Sequence, residues 1–502
     1  MNAKLRALLA LAGVALISLP TAAKAQTNGF VLQCLSAVMS GSGCVTRAQG
    51  DASPTSLFRD PAGLVAFDRP TLEINIAPFM PSLTFKNAAN PLVVDGATHA
   101  YPMASIAYVG RKIGKLSWAV GMEPIGGFGS DFHLKHALLS GTAGSLVDYK
   151  TFFAAAKFGP SFAYQITPRL SVGGSVSGVY AQIRDFRMPF TMPPTVAKGL
   201  AGIPMLDPAV YGPLFQQFTE MTAYGNSKAY SGLAVTGDAG IAYRAPNGFA
   251  WSVSWTPKRG IDTDGGTATI DMTAQFGQMM QAMVMARAQA YNESPSVAQG
   301  NVMQQLGTAG LNLAAGVVGH YDAATTLTLP QTIGAGVSIP VDAQWKLSGE
   351  LEWREWSKAE GTMPFKLTKG DNANLNLMLN ANPTDGRFTY PFPLDWKDAL
   401  TAKVGVTYEV AKGRTLRGGL MYGQNPVPDN TVFITFPAIS TTAATIGTTW
   451  TVRGLPISAS YVHAFSQPQD GSATGHKIGH EYQGSHTTMS ENVFTFGATW
   501  RY

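Results

Sequence analysis

The residues of this chain that could do chemistry are few, and most of them argue for apolar contact. Cys34 and Cys44 are its two cysteines. A lone pair cannot fill a structural zinc site. In an oxidising compartment it points to a disulfide closing a short loop, with two free thiols as the alternative. His476, His480 and His486 fall in one stretch, and the first two have a spacing that can bind metal on a helix. The Gly and Gln around them argue for a polar loop. No GxSxG elbow and no phosphate loop occurs, and no cofactor is implied. A Ser–His pair gathered from distant segments needs no local motif, so a hydrolase stays open. Two apolar sets keep helical spacing: Leu214, Phe215, Phe218 and Met221, then Met272, Phe276, Met279, Met280, Met283 and Val284. Methionine suits surfaces that accept varied apolar shapes. These helices read as a landing site for apolar ligands, or as a lid packed on itself.

Such residues need a frame, and the composition restricts what it can be. Charged residues make up 13% of the 502-residue chain, about half the globular share, and Gly is 54 of them. Lys4 and Arg6, the apolar run Leu5–Leu19 and the Ala23-Lys24-Ala25 site read as a secretory signal peptide over residues 1–25, cleaved before Gln26. The run is too short for the alternative, a membrane anchor. Cleavage lowers the formal net charge from +5 to +2, so no broad basic field marks nucleic acid as a partner. No later stretch has the length of apolar sequence that a transmembrane helix needs.

From residue 70 the chain alternates strands with punctuation. Fourteen strand candidates lie at 71–81, 101–111, 114–125, 151–166, 168–186, 230–245, 247–257, 324–340, 343–356, 395–411, 414–424, 440–452, 455–466 and 491–502. Short turns, such as Lys412-Gly413 and Arg453-Gly454, alternate with long stretches throughout. A membrane barrel sorts its connections this way, with tight turns on the periplasmic side and large loops outside. Trp345, Leu347, Leu351 and Trp353 share one strand face, opposite Lys346, Ser348, Glu350, Glu352 and Arg354. The chain ends Phe494-Thr-Phe496-Gly-Ala-Thr-Trp500-Arg-Tyr502, which resembles the C-terminal signal read by the outer-membrane assembly machinery. The expected fold is all-β: a 14-stranded antiparallel transmembrane barrel (70–502) with helical external loops, sitting in outer-membrane lipid.

Residues 28–64, NGFVLQCLSAVMSGSGCVTRAQGDASPTSLFRDPAGL, precede the first strand and are too irregular for one. They resemble the N-terminal hatch of the FadL/TodX family, which transports long-chain fatty acids and aromatic hydrocarbons. Stretches 116–132, 159–183, 329–357 and 395–439 resemble the same family, and the PVPD element at Pro426–Asp429 is quite specific. The resemblance implies a hatch (26–69) plugging the lumen, diffusive uptake without energy coupling, and a kink in the third strand that opens the wall. Here that strand runs through Gly121, Pro124, Gly126 and Gly127, where a missing donor and small residues give the break a local cause; alternatively, the strand ends at Pro124. The usual Asn of the hatch turn is Asp60 here, followed by Pro61, Ala62, Gly63 and Leu64. Asp keeps the turn-capping oxygen but adds charge.

A fatty acid needs an apolar slot and a cation for its carboxylate. Lys397, in a Trp-Lys-Asp setting that matches a family lumen position, and Arg187, ranked before Arg184, are the candidates; luminal ion pairing is the alternative role. Phe215, Phe218, Met279 and Met283 are the candidate capture residues. The reading is a passive outer-membrane transporter of fatty acids or related hydrophobic compounds. An aromatic-hydrocarbon channel, a lipid hydrolase and an adhesin or receptor remain as rivals.

Overall fold

A meander of strands, each with one apolar and one polar face, leaves two raw edges unless it closes. In the computed structural model, which describes residues 27–141, 144–192, 206–215, 221–436 and 438–502, it closes. Fourteen antiparallel strands follow in sequence order. They are β1 Thr71–Lys86, β2 Tyr101–Val109, β3 Leu116–Leu134, β4 Val147–Gln165, β5 Leu170–Met192 and β6 Met221–Arg244. β7 is Ala250–Thr256 continued by Arg259–Asp271, and β8 is Val318–Leu329 continued by Thr332–Pro340. Then come β9 Trp345–Arg354, β10 Ala399–Ala411, β11 Arg414–Gly423, β12 Thr442–Val452, β13 Leu455–Asp470 and β14 His486–Arg501. β14 pairs with β1 from Arg501↔Thr71 to His486↔Lys86, so the first and last strands close the cylinder. Residues 1–25, expected as a signal peptide, lie outside the described part.

All the expected strands are present, and the turns between them explain the register. Gly413 and Gly454, at φ +76° and +83°, supply the left-handed positions that two-residue hairpin turns require. Side chains alternate as expected: on β9, Ser348, Glu350, Glu352 and Arg354 are buried toward the lumen, while Leu351 is exposed. Ile76, Val176, Leu233, Leu351, Ile446 and Phe496 are each more than half exposed on the outer wall. An apolar belt of this kind is costly in water and matches hydrocarbon.

The expected strands were too short on the external side. β5 has 23 residues and β6 has 24, about twice what a tilted membrane-crossing strand needs. The extra length stands above the bilayer and turns apolar residues inward, among them Phe186, Met188 and Phe190. The helices Thr273–Tyr291 and Pro295–Thr308 pack together at that end. The stretch 425–439, expected as an external loop, contains an inward-folded run instead: Val432, Phe433, Ile434, Phe436 and Ile439 are all buried. The apolar run TVFITF could have shown this, because a solvated loop has no use for it.

Candidate ligand pathway

The N-terminal segment lies inside the cylinder and is tied to its wall by buried charge. Arg47 Nη1 lies 2.8 Å from both Glu350 and Glu352, and its Nε donates to Ser254. The backbone N–H groups of Thr46 and Arg47 donate to Glu350, which also receives Lys403 Nζ at 2.8 Å. Glu73 accepts the hydroxyls of Ser36 and Ser53 at 2.9 and 2.7 Å. The backbone comes close as well: a Cβ on Gly41 would sit 2.7 Å from Gly447 Cα, so the segment crosses β12 where both residues are glycine. The inward charges of β9 were legible as a polar face, but Arg47 as their shared partner was not, because no local pattern joins residues so far apart in the chain.

Above this ionic layer the wall is interrupted. β2 and β3 pair from Val109↔Ala119 to Ile106↔Met122, and the described ladder stops there. Farther up, Ala97 N–H donates to the Asp131 carbonyl. Between these points β3 does not end at Pro124. It stays paired with β4 through a bulge, with Pro124↔Ala156 followed by Gly126↔Ala155. The extra residue, Ile125, exchanges the two faces of the strand. Glu123 faces in below it, and Phe128, Phe132 and Leu134 belong to the inner side above it. A cavity of about 210 Å³ lies at the interruption, lined by Leu32, Phe79, Tyr101, Met103, Pro124 and Phe128. The N-terminal segment reaches this point: Val31 pairs with Gly126, and Gly127 N–H donates to the Phe30 carbonyl at 3.0 Å. Phe30 sits among Phe153, Trp356, Trp396 and Phe436, with ring centroids 5.0 to 5.9 Å away. Phe128 stacks on Phe436 at 3.9 Å.

The candidate residues distribute unevenly over this framework. Asp60 stands at the N-cap of the short helix Pro61–Ala66 but its side chain makes no capping hydrogen bond there; its Oδ2 instead accepts the Ala48 N–H at 2.8 Å. Desolvation inside the barrel pushes the Asp60 carboxyl above its usual range. A Cβ on Gly63 would meet Asp60 Oδ2 at 2.6 Å, so the glycine lets the carboxylate fold over its own turn. Ala62 O accepts the Ser171 hydroxyl, and Leu64 is buried. Cys34 and Cys44 come together as a disulfide with Cα atoms 5.4 Å apart.

Neither candidate cation is buried in the interior. A bulge opposite Phe152 and Phe153 makes Arg184 the extra residue of β5. Beyond it Phe186 and Met188 face in, and Arg187 lies on the opposite face, paired with Asp185 at 2.9 Å and Asp148 at 3.6 Å. Lys397 is exposed together with Asp398. β10 begins only at Ala399, so strand parity does not reach Lys397, and Trp396 enters the aromatic cluster instead. Met279 and Met283 are buried in the helical cap beside Val302 and Leu306, while Met285 and Met303 are exposed. Phe215 ends the helix Pro208–Phe215, and Phe218 lies outside the described residues. His476 Nε2 contacts the Val432 carbonyl at 3.0 Å, and His486 pairs with Asp470.

A closed cylinder with an inner N-terminal segment and a gap between its second and third strands is the frame of an outer-membrane barrel. The family model described as outer membrane protein transport protein (OMPP1/FadL/TodX) matches residues 18–502, and the chain belongs to that family. It is an outer-membrane protein of a transporter family, which sets aside the hydrolase alternative. A long-chain fatty acid transport protein of Escherichia coli (strain K12) is 23% identical over 465 residues, covering 90% of this chain and 91% of that one. Among solved structures, the Pseudomonas putida toluene transporter TodX aligns with a TM-score of 0.64 at 13% identity, covering 94% of this chain and 99% of that one. A Pseudomonas aeruginosa FadL homologue gives 0.64 at 13% identity, with the same coverage. These structural likenesses speak to the fold.

Proposed function

We propose that this chain carries long-chain fatty acids or related hydrophobic compounds passively across the outer membrane. The external helices capture the ligand, residues 26–69 act as a hatch, and the ligand leaves sideways beside Pro124–Gly127. The observation that carries this reading is the coincidence of the interrupted β2–β3 ladder with an apolar cavity and with the hatch's own contact at Gly126 and Gly127. An acyl chain released into water would expose apolar surface at about 25 cal/mol per Å², so exit into the bilayer is favoured. Insertion through the assembly machinery fits the outward Phe494 and Phe496 of the last strand.

A second reading, uptake of aromatic hydrocarbons, is favoured by one observation. The apolar slot high in the barrel, lined by Phe190, Tyr230, Phe365, Leu367, Phe388 and Tyr390 among others, has no charged residue in its lining. Liposome uptake of a fatty acid, toluene and a neutral sugar tests both. Entry of the first two with exclusion of the sugar is the expected result, and free passage of the sugar would sink the carrier reading.

A further inference from the structure

We propose that a second, charged cavity beneath the β3 kink seats the carboxylate end of an amphipathic ligand, with Arg59 and Arg354 as its donors. This rests on the carrier reading above and narrows it to compounds with an anionic head. The cavity measures about 80 Å³, room for a carboxylate and not for a bulky head group. Four cations line it, Arg47, Arg59, Lys157 and Arg354, against three carboxylates, Glu123, Asp238 and Glu352.

Most of these charges are already committed. Arg47 is divided between Glu350 and Glu352. Lys157 lies 2.5 Å from Asp238, which also takes the hydroxyls of Ser175 and Thr256. The two remaining arginines are only partly used. Arg354 contacts Glu352 through one Nη, while its Nε and other Nη are buried with no hydrogen-bond partner among the described residues. Arg59 holds the Leu32 carbonyl at 2.9 Å and Glu123 at a loose 3.6 Å, and its Nη1 is likewise unpartnered. A buried guanidinium N–H without an acceptor is costly, and a carboxylate accepts two such donors at once.

The position of the cavity carries the argument further. Ile125 lines this charged cavity, while its neighbours Pro124 and Gly126 line the apolar one at the wall interruption. The hatch divides in the same way, with Val31 at the charged side and Leu32 at the apolar side. A polar seat and a greasy channel therefore meet at one kink, and an amphiphile laid across it satisfies both. Arg187 and Lys397, the cations expected from the sequence to hold the carboxylate, do not line this cavity.

The test compares a long-chain fatty acid with the alcohol of the same chain length, by calorimetric titration of the mature protein in nanodiscs. Wild-type protein should bind the acid about tenfold more tightly, the worth of one charge-assisted hydrogen-bonded contact. Arg59→Gln and Arg354→Gln, each checked for folding by heat-modifiable gel mobility, should bring the acid close to the alcohol and leave alcohol binding intact. Arg187→Gln should keep the acid preference. Equal binding of acid and alcohol by wild-type protein overturns the seat even if neither variant folds, and leaves hydrophobic transport standing. Loss of the preference in Arg187→Gln alone also overturns it. Failure of wild-type protein to bind either compound would count against the carrier reading itself.

Discussion

At the scale of single residues, hydrogen-bond partners decide what each polar group can do. His476 is held at both ring nitrogens: Nε2 faces the Val432 carbonyl, and Nδ1 accepts the Ile478 N–H at 3.3 Å. Burial lowers its pKa to about 4. The folded value lies below the unfolded one, so its contribution to stability is present above about pH 6.5 and is lost as pH falls toward 4. An NMR titration of the ring in the folded protein should show a midpoint near 4; an ordinary histidine midpoint would mean that the ring is free in water. The disulfide is a second residue-scale device. Cys34→Ser with Cys44→Ser should lower stability by about 2–3 kcal/mol, because the closed loop is short. Denaturant titration measures this, and mass spectrometry showing two free thiols in the unreduced mature protein would remove its basis. Residue types announced the pair, and the ring geometry of His476 was not legible, since its partner Val432 comes from an inward-folded segment that read as an external loop.

At the scale of elements, β3 is the informative strand. Its pattern showed that Pro124 and the nearby glycines would disturb the ladder, but could not say on which side. The structure answers that β4 pairing survives through a bulge and β2 pairing does not. Replacing Pro124, Gly126 and Gly127 with Val should restore a ladder donor and stiffen the strand. It should also disturb the hatch, because a Cβ on Gly126 would approach the Phe30 carbonyl at 3.0 Å. Fatty-acid uptake should fall strongly while gel mobility of the folded barrel persists, and normal uptake by such a variant would exclude this exit. A second bulge explains why Arg187 does not face inward. Strict alternation carried Arg187 inward, and one extra residue in β5 carried it out again. Bulges leave almost no trace in sequence, so parity read across a long strand is trustworthy only up to the first of them.

At the scale of the whole molecule, strand number, loop parity and the C-terminal aromatic pattern were all legible, because each follows from the period-two pleat and from closure in lipid. The charged attachment of the hatch was not, since it joins groups some three hundred residues apart, as in Arg47 with Glu350. That attachment separates two properties. Below the gap beside β3 the wall pairs all the way round without residues 26–64, so a deletion of these residues should still insert. It should also leave Glu350 and Glu73 without their hatch partners and open the lumen to small polar solutes. Single-channel conductance and antibiotic sensitivity should both rise, and unchanged values would refute the assignment of the plug.

The bulge at Ile125 has a further consequence, which resembles a change of reading frame. Below it β3 is spelled with odd-numbered residues facing in, above it with even-numbered ones, and Ile125 is the inserted letter that shifts the phase. Deleting that one residue should transpose everything beyond it. Phe128, Phe132 and Leu134 would be turned toward the outside, and Asp131 and His133 into the aromatic interior, although not one of them had been changed. A single-residue deletion here should therefore be far more damaging than substitution of Ile125 by Val or Leu, and an added residue immediately after the gap should rescue it. Growth on a fatty acid as sole carbon source would score all three.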